Sequence, residues 1–217
     1  MTSKTFFLLL AVILFASLCA GENFEIGFVE KAKGEAKTLR DGEFELLKRG
    51  DIILQNEKIS ALGNGYMKLK FIDNDGSLTL GGESDAVVSM FSGEERNEKV
   101  ISLMKGSLLA GVFKSMMRIE AQDAVIDFDS ALVYAYSCKD TVRVICLEGA
   151  CRIMNGYGES KITAGESGLI LADATPYKLG GVTEEFDMSQ IENEKESIEI
   201  QMKNQSGEER IIVIEVR

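Results

Sequence analysis

Between Phe24 and about Leu171 the chain alternates apolar and polar residues in short runs, broken by Gly and Asp-Gly pairs. A period of two puts successive side chains on opposite faces of an extended strand, so each run predicts a strand with one buried face. Glu25 to Val29 and Gly34 to Leu39 are the first two. Arg40-Asp41-Gly42-Glu43 predicts a hairpin turn, because Asp-Gly accepts the positive φ angles of a tight turn. Glu43 to Leu47 leads back, Gly50-Asp51 opens Ile52 to Leu54, and Gly63-Asn64-Gly65 reads as another turn. Met67, Leu69 and Phe71 then share one face of Tyr66 to Ile72, Asn74-Asp75-Gly76 turns the chain, and Leu78 and Leu80 return.

The pattern continues. Ala86 to Met90 and Lys99 to Met104 flank a polar loop, Phe91 to Glu98. Lys105-Gly106-Ser107 turns into Leu108 to Phe113, followed by Met116 to Ala121, Ala124 to Phe128 and Ala131 to Tyr136. Val142 to Cys146 and Cys151 to Ile153 read as two arms of a hairpin around Glu148-Gly149, and Ser160 to Thr163 and Ser167 to Leu171 close the block. Strands of about five residues with a turn signal roughly every ten residues predict an all-β fold, either a short-stranded sandwich or a solenoid-like stack. Lys- or Glu-Gly turns recur at Gly34, Gly106 and Gly149 without a fixed period, so no regular repeat array is expected.

The two ends change the picture. Lys4, an uncharged apolar run from Phe6 to Ala16 and the small residues up to Gly21 have the plan of a secretory signal peptide over residues 1–21. The run is shorter than the ~20 apolar residues of a spanning helix. Cleavage is expected after Ala20 or Cys19, giving a periplasmic or exported domain. The alternative is a lipoprotein anchored at Cys19, the one route by which a membrane becomes a partner. The β domain is assigned residues 22–181. After Gly180-Gly181 comes an acidic linker, 182–195, and then 196–217, where Ile198, Ile200 and Met202 alternate with polar residues before Ile212 to Val216 returns. That predicts a C-terminal β-hairpin. A lone hairpin is marginal in water, so Ile198, Ile200, Met202, Ile212 and Ile214 are candidate contacts to the main domain or to a partner by strand addition.

Composition then limits the chemistry. The net charge is −11, and −12 once residues 1–21 and their single Lys4 are gone. An acidic surface repels phosphate backbones, so nucleic acid is not an expected partner. There is no histidine, which excludes Ser-His-Asp and Cys-His nucleophile pairs and histidine-ligated zinc or haem. No catalytic residue, metal or cofactor is assigned. A glycan hydrolase using two carboxylates roughly 5–10 Å apart is the remaining enzymatic alternative. Asp73-Asn74-Asp75-Gly76 begins like a calcium loop but lacks the glutamate at its twelfth position, where Asp85 comes nearest, so a plain Asp-Gly turn is expected.

Cys146 and Cys151 are the candidate disulfide. In a two-residue hairpin at Glu148-Gly149 they would face each other with Cα atoms about 4.5 Å apart, at the short edge of disulfide geometry. The alternative is that both are small apolar core residues, or that Cys138 pairs with one of them. Phe113, Met116 and Met117 are either core or an adaptable partner surface.

Several of these stretches resemble the FecR domain family. They are Gly27-Phe28-Val29 with Gly34-Glu35-Ala36, Leu47-Lys48-Arg49-Gly50-Asp51, and Asp75-Gly76-Ser77-Leu78-Thr79-Leu80. Leu103-Met104-Lys105-Gly106-Ser107-Leu108, Val144 to Ile153 and Ala164-Gly165-Glu166 continue the likeness to about residue 171. The resemblance implies an exported bacterial all-β domain. Members of that family relay the state of an outer-membrane receptor to a sigma factor through a spanning helix and a cytoplasmic segment. This chain is expected to carry only the signal segment ahead of the domain. Asp127 to Leu132 stands where the family has an Arg-Gly-Thr-x-Phe stretch. The expected function is therefore non-enzymatic binding of a protein or envelope component, with a sensor acting in trans through a separate membrane protein as the alternative.

Overall fold

The structure, a computed structural model, describes residues 24–92, 97–181, 196–203 and 209–216, with side-chain surroundings for 24–92 and 97–179. Every regular element among the described residues is a β-strand. The large sheet holds β1 (Glu25–Arg40), β2 (Glu43–Leu46), β3 (Ile52–Leu54), β4 (Glu57–Phe71), β5 (Ser77–Leu80), β6 (Ser84–Ser92) and β7 (Asn97–Ala121). It continues through β8 (Ala124–Cys138), β9 (Thr141–Glu148), β10 (Ala150–Asn155), β11 (Gly158–Thr163), β12 (Glu166–Leu171) and β13 (Tyr177–Gly181). All pairings are antiparallel, and the main path runs β13-β12-β9-β8-β7-β5-β4-β1-β2. The Asp41-Gly42 hairpin forms as expected, with Arg40 opposite Glu43.

The runs are shorter than the strands. β1, β7 and β8 each join two or three predicted strands, β4 runs from Glu57 through an expected turn into the predicted Tyr66 strand, and the joints are corners rather than reversals. In β7 the buried positions are Lys99, Ile101 and Leu103, then Leu108, Ala110 and Val112, then Ser115, Met117, Ile119 and Ala121. Each change between odd and even numbers marks a bend or bulge, because the side-chain period is strictly two. The first falls at Gly106 and the second at residues 113–115, where the register with β8 also shifts. Gly63-Asn64-Gly65, expected as a turn, is likewise a bend inside β4.

The corners fold the sheet into two facing layers. The first half of β1 pairs with the end of β4, which pairs with β5, the middle of β7, the end of β8, β9, β12 and β13. The second half of β1 pairs with β2 and the start of β4, which pairs with β6 and the start of β7. Beside this second group, the end of β7, the start of β8, β10 and β11 form a third. Side chains from the second and third groups meet the first. The Lys99 ammonium lies 5.3 Å from the Phe71 ring centre, and a Cβ added to Gly168 would come within 2.5 Å of Ile153. One continuous apolar core runs between the layers. The molecule is a sandwich in section, with strands that roll from one layer into the other.

One expected hairpin is overturned. β9 and β10 do not pair. β9 pairs with β8 and β12, and β10 pairs with β8 and β11. Gly149, at φ 74°, is a corner at which the chain changes layers while still following β8. Only glycine fits there, since a Cβ would come within 2.5 Å of the Ser130 carbonyl oxygen. Following a long template strand keeps Cys146, Cys151 and Ile153 all buried. β13 had no counterpart among the expected strands.

β14 (Glu196–Lys203) and β15 (Glu209–Val216) form a separate antiparallel two-stranded sheet, with Ile198 opposite Ile214 and Ile200 opposite Ile212. Among the described residues no strand pairing joins it to the large sheet. The surroundings of Ile198, Ile200, Met202, Ile212 and Ile214, the expected signal segment 1–21 and the linker 182–195 lie outside the described residues.

Candidate binding site at a sheet corner

The turn that begins like a calcium loop builds a corner instead. The Asp75 carboxylate accepts the backbone N–H groups of Phe113 at 3.1 Å, Lys114 at 2.9 Å and Ser115 at 2.5 Å. Burial pushes this carboxyl upward, but the hydrogen bonds from Ser115, Phe113 and Lys114 outweigh it and hold it below its ordinary value. Asp73 accepts from Lys99 Nζ at 2.7 Å, and its other oxygen accepts the Asp75 N–H at 3.0 Å. Lys99 is fully buried and also donates to Ser115 Oγ at 2.6 Å. Both aspartates are thus engaged by protein donors. Among the described residues no group of three or more His, Cys, Asp or Glu is placed to hold a metal ion.

This network fixes the bulge at residues 113–115. The Ser130 hydroxyl donates to the Phe113 carbonyl at 2.7 Å and braces it from β8. Phe113 then points outward, 73% exposed, while Met117 is buried. Met116 forms part of the wall of a hollow of about 420 Å³, beside Asp127, Asp129, Cys151, Arg152 and Lys161.

Asp127, Arg152 and Lys161 line the hollow and belong to one cross-strand row of charges, which Arg118 extends. Arg118 stands opposite Asp127, Asp127 opposite Arg152, and Arg152 opposite Lys161. Asp127 is only 6% exposed. Arg118 grips it with two hydrogen bonds, Nε at 2.8 Å and Nη2 at 3.1 Å, and Arg152 Nη2 adds a third at 3.3 Å. The hydrogen bond to Asp127 raises the Arg118 guanidinium above its ordinary value. Such fork-to-carboxylate pairs are rigid and directional. Asp127 and Asp129 both line the hollow, but both Asp127 oxygens are already held by guanidinium groups. The arrangement offers mixed charge on a fixed frame, which suits recognition.

Cys138, Cys146 and Cys151 are all free thiols. Cys146 and Cys151 are buried and stand on either side of the Gly149 corner, in β9 and β10. The neighbouring Cys151 thiol lowers the Cys146 thiol from its ordinary value, and Cys146 together with burial raises that of Cys151. Cys146 Sγ also donates to the Glu148 carbonyl at 3.3 Å. The two thiols therefore stand on either side of a corner between layers and not across a hairpin.

Part of the Asp127 row has a signal in the sequence. A two-residue turn at Gln122-Asp123 sets Ala121 opposite Ala124 and, six residues further apart, Arg118 opposite Asp127. Arg152 could not have been placed, since its pairing depends on the Gly149 corner.

No protein family and no curated protein matches the sequence. Solved structures do. The chain is similar to a "putative anti-sigma factor" from Parabacteroides distasonis ATCC 8503, with a TM-score of 0.50 at 10% identity over 69% of this chain and 70% of that one. A second structure under the same description gives a TM-score of 0.48 at 10% identity, over 57% of this chain and 59% of that one. The first of these likenesses is one of fold.

Proposed function

We propose that this chain is an exported, non-enzymatic FecR-like β domain that recognises a protein or polymer of the bacterial envelope at the corner carrying Phe113 and the adjoining hollow. The observation that carries this is the threefold grip of Asp75 on residues 113–115, which fixes an exposed Phe113 three residues before Met116, a wall residue of the charged hollow. An aromatic anchor on a preformed frame loses little freedom on binding, so more of its contact energy appears as affinity. The net charge of −11 argues against nucleic acid as the ligand. Ile198, Ile200, Met202, Ile212 and Ile214 in the terminal hairpin are a second contact by strand addition.

The test is a photo-crosslinking residue at position 113 in the chain expressed in its own cell. One envelope component should be captured, and its capture should fall when Arg152→Gln is introduced beside it. Equal envelope binding by wild type and Phe113→Ser would refute the reading. The alternative, a regulator acting in trans through a separate membrane protein, is favoured by the description of the Parabacteroides protein. In that case the captured component would be a membrane-spanning regulator.

A further inference from the structure

Cys146 and Cys151 face one core from different layers, five residues apart across the Gly149 corner. β9 lies in the layer that contains β12, and β10 belongs to the facing group with β11. Between them the chain turns at Gly149, and both side chains enter the core at 0% and 2% exposure. Each strand is fixed on both sides by ladder hydrogen bonds, Cys146 between Val133 and Glu166 and Cys151 between Phe128 and Ile162. A bond between the two sulfurs would therefore brace the layers across the corner. Cys151 stands in the row Met117, Phe128, Cys151 and Ile162, which is buried in the core, while its neighbour Arg152 stands in the row that lines the hollow, so the strand that walls the hollow carries one of the two sulfurs on its inner side.

Cys138 is excluded as the partner. It sits opposite Thr141 at the far end of β8, five residues beyond Val133, which is the residue facing Cys146. At roughly 3.3 Å per residue that is about 16 Å along the strand, well outside the Cα separation of about 7 Å that a disulfide tolerates.

We propose that Cys146 and Cys151 are a disulfide site: a reversible cross-brace behind the wall of the hollow, closed by thiol–disulfide exchange with a small external disulfide. The exchange balances. Both thiols give up their protons, the external S–S bond breaks, its two sulfurs leave as thiols carrying those protons, and one Sγ–Sγ bond forms. The cysteine pair is oxidised by two electrons and the external disulfide is reduced by two. The brace would tie the wall formed by Ala150, Cys151 and Arg152 to the opposite layer, so the redox state of the surroundings would set how firmly that wall is held.

The test uses the purified chain in its folded state, incubated first with reductant and then with oxidised glutathione. Free thiols are alkylated under denaturing, non-reducing conditions, and the peptides are mapped by mass spectrometry. The expected product is a linked pair of peptides carrying Cys146 and Cys151, lighter by two hydrogens than the separate thiols, with Cys138 alkylated or glutathionylated. Oxidised protein should also exchange backbone deuterium more slowly over Ala150 to Ile153 than reduced protein. In Cys146→Ser the linked product should vanish and Cys151 should be alkylated or carry a single glutathione. Recovery of Cys146 and Cys151 as free thiols or as separate mixed disulfides in the wild type overturns the proposal, as does a linkage to Cys138. Because this chemistry is read on purified protein, it stands or falls separately from envelope recognition at Phe113.

Discussion

Removing the Asp73 carboxylate strands a fully buried ammonium, whereas removing Lys99 leaves a carboxylate that still touches water. The Lys99 side chain is 0% exposed and that of Asp73 is 18% exposed. In Asp73→Ala, Lys99 keeps only Ser115 Oγ and the face of Phe71 as partners. An uncompensated buried charge costs about 3–5 kcal/mol, and the aromatic face returns about 1–2 kcal/mol at most, so the expected loss is about 3 kcal/mol. Lys99→Met removes the charge together with its desolvation cost and fills a similar volume against Phe71. Asp73 then keeps the Asp75 N–H and Asn97 as donors, and the expected loss is about 1 kcal/mol. The double variant should resemble Lys99→Met alone, which gives a coupling of about 2–3 kcal/mol in a double-mutant cycle. Thermal melting by far-UV circular dichroism reads this directly, since the chain lacks tryptophan. At about 2–4 °C per kcal/mol for a chain of this size, Tm should fall roughly 6–12 °C for Asp73→Ala and roughly 2–4 °C for Lys99→Met. Equal losses, or a larger one for Lys99→Met, would refute the reasoning.

Three further outcomes are expected. Hydrogen bonds from Lys178 and Thr163 hold the Glu166 carboxyl at about 2, below its ordinary value of 4.5. Its contribution to stability is complete above 4.5 and is lost as pH falls towards 2, so Tm should decline in that window and decline less in Glu166→Gln. Gly106→Ala should destabilise far more than Gly42→Ala in urea unfolding. Both glycines sit at φ 84°, but an added Cβ meets Ser84 Oγ at 2.2 Å in the first case and nothing within 4 Å in the second. A purely conformational penalty, roughly 1–2 kcal/mol at each, would make them equal and contradict the corner geometry. Deleting residues 182–217 should leave the two-layer domain melting cooperatively within a few degrees of the full chain, because among the described residues no strand pairing joins β14 or β15 to it; collapse of the transition would make the hairpin structural.

The strand content and the Asp41-Gly42 hairpin were legible because period-two alternation and Asp-Gly turns are local signals. What the turns do was not. Gly34, Gly106 and Gly149 look alike in sequence, each following a Lys or Glu, and all take positive φ, as does Gly42 in a true reversal. A positive φ residue serves a tight hairpin and a strand corner equally well, and the choice is made by whichever neighbouring strand offers unpaired hydrogen-bonding groups. Beyond Gly149 that neighbour is the first half of β8, which takes β10. The hairpin at Glu148-Gly149 loses because β8 is long enough to template both β9 and β10. The candidate site suffered in the same way. Asp75 was visible as a turn residue, but its role in gripping residues 113–115 spans about forty residues of sequence, and only the fold brings those groups together.

The same corner serves both recognition and stability. A long strand that changes layers interrupts its ladder, and the backbone N–H groups freed at the bend need other acceptors, since burying them unpaired costs free energy. Residues 113–115 meet that need with one carboxylate, Asp75. A charged acceptor serving three donors is a stiffer solution than water, so the bulge becomes a fixed platform. Its carbonyl side is held by Ser130, itself at φ 47° where β8 bends next to the Gly149 corner. Three successive bends, in β7, in β8 and between β9 and β10, therefore stack at one end of the sandwich, and the hollow is the space left where they turn. An envelope ligand that used this end would meet a surface whose shape is set by the sheet's own need to satisfy its backbone. Loosening Asp75 should then weaken binding and stability together, whereas Arg152→Gln should weaken binding with little loss of stability.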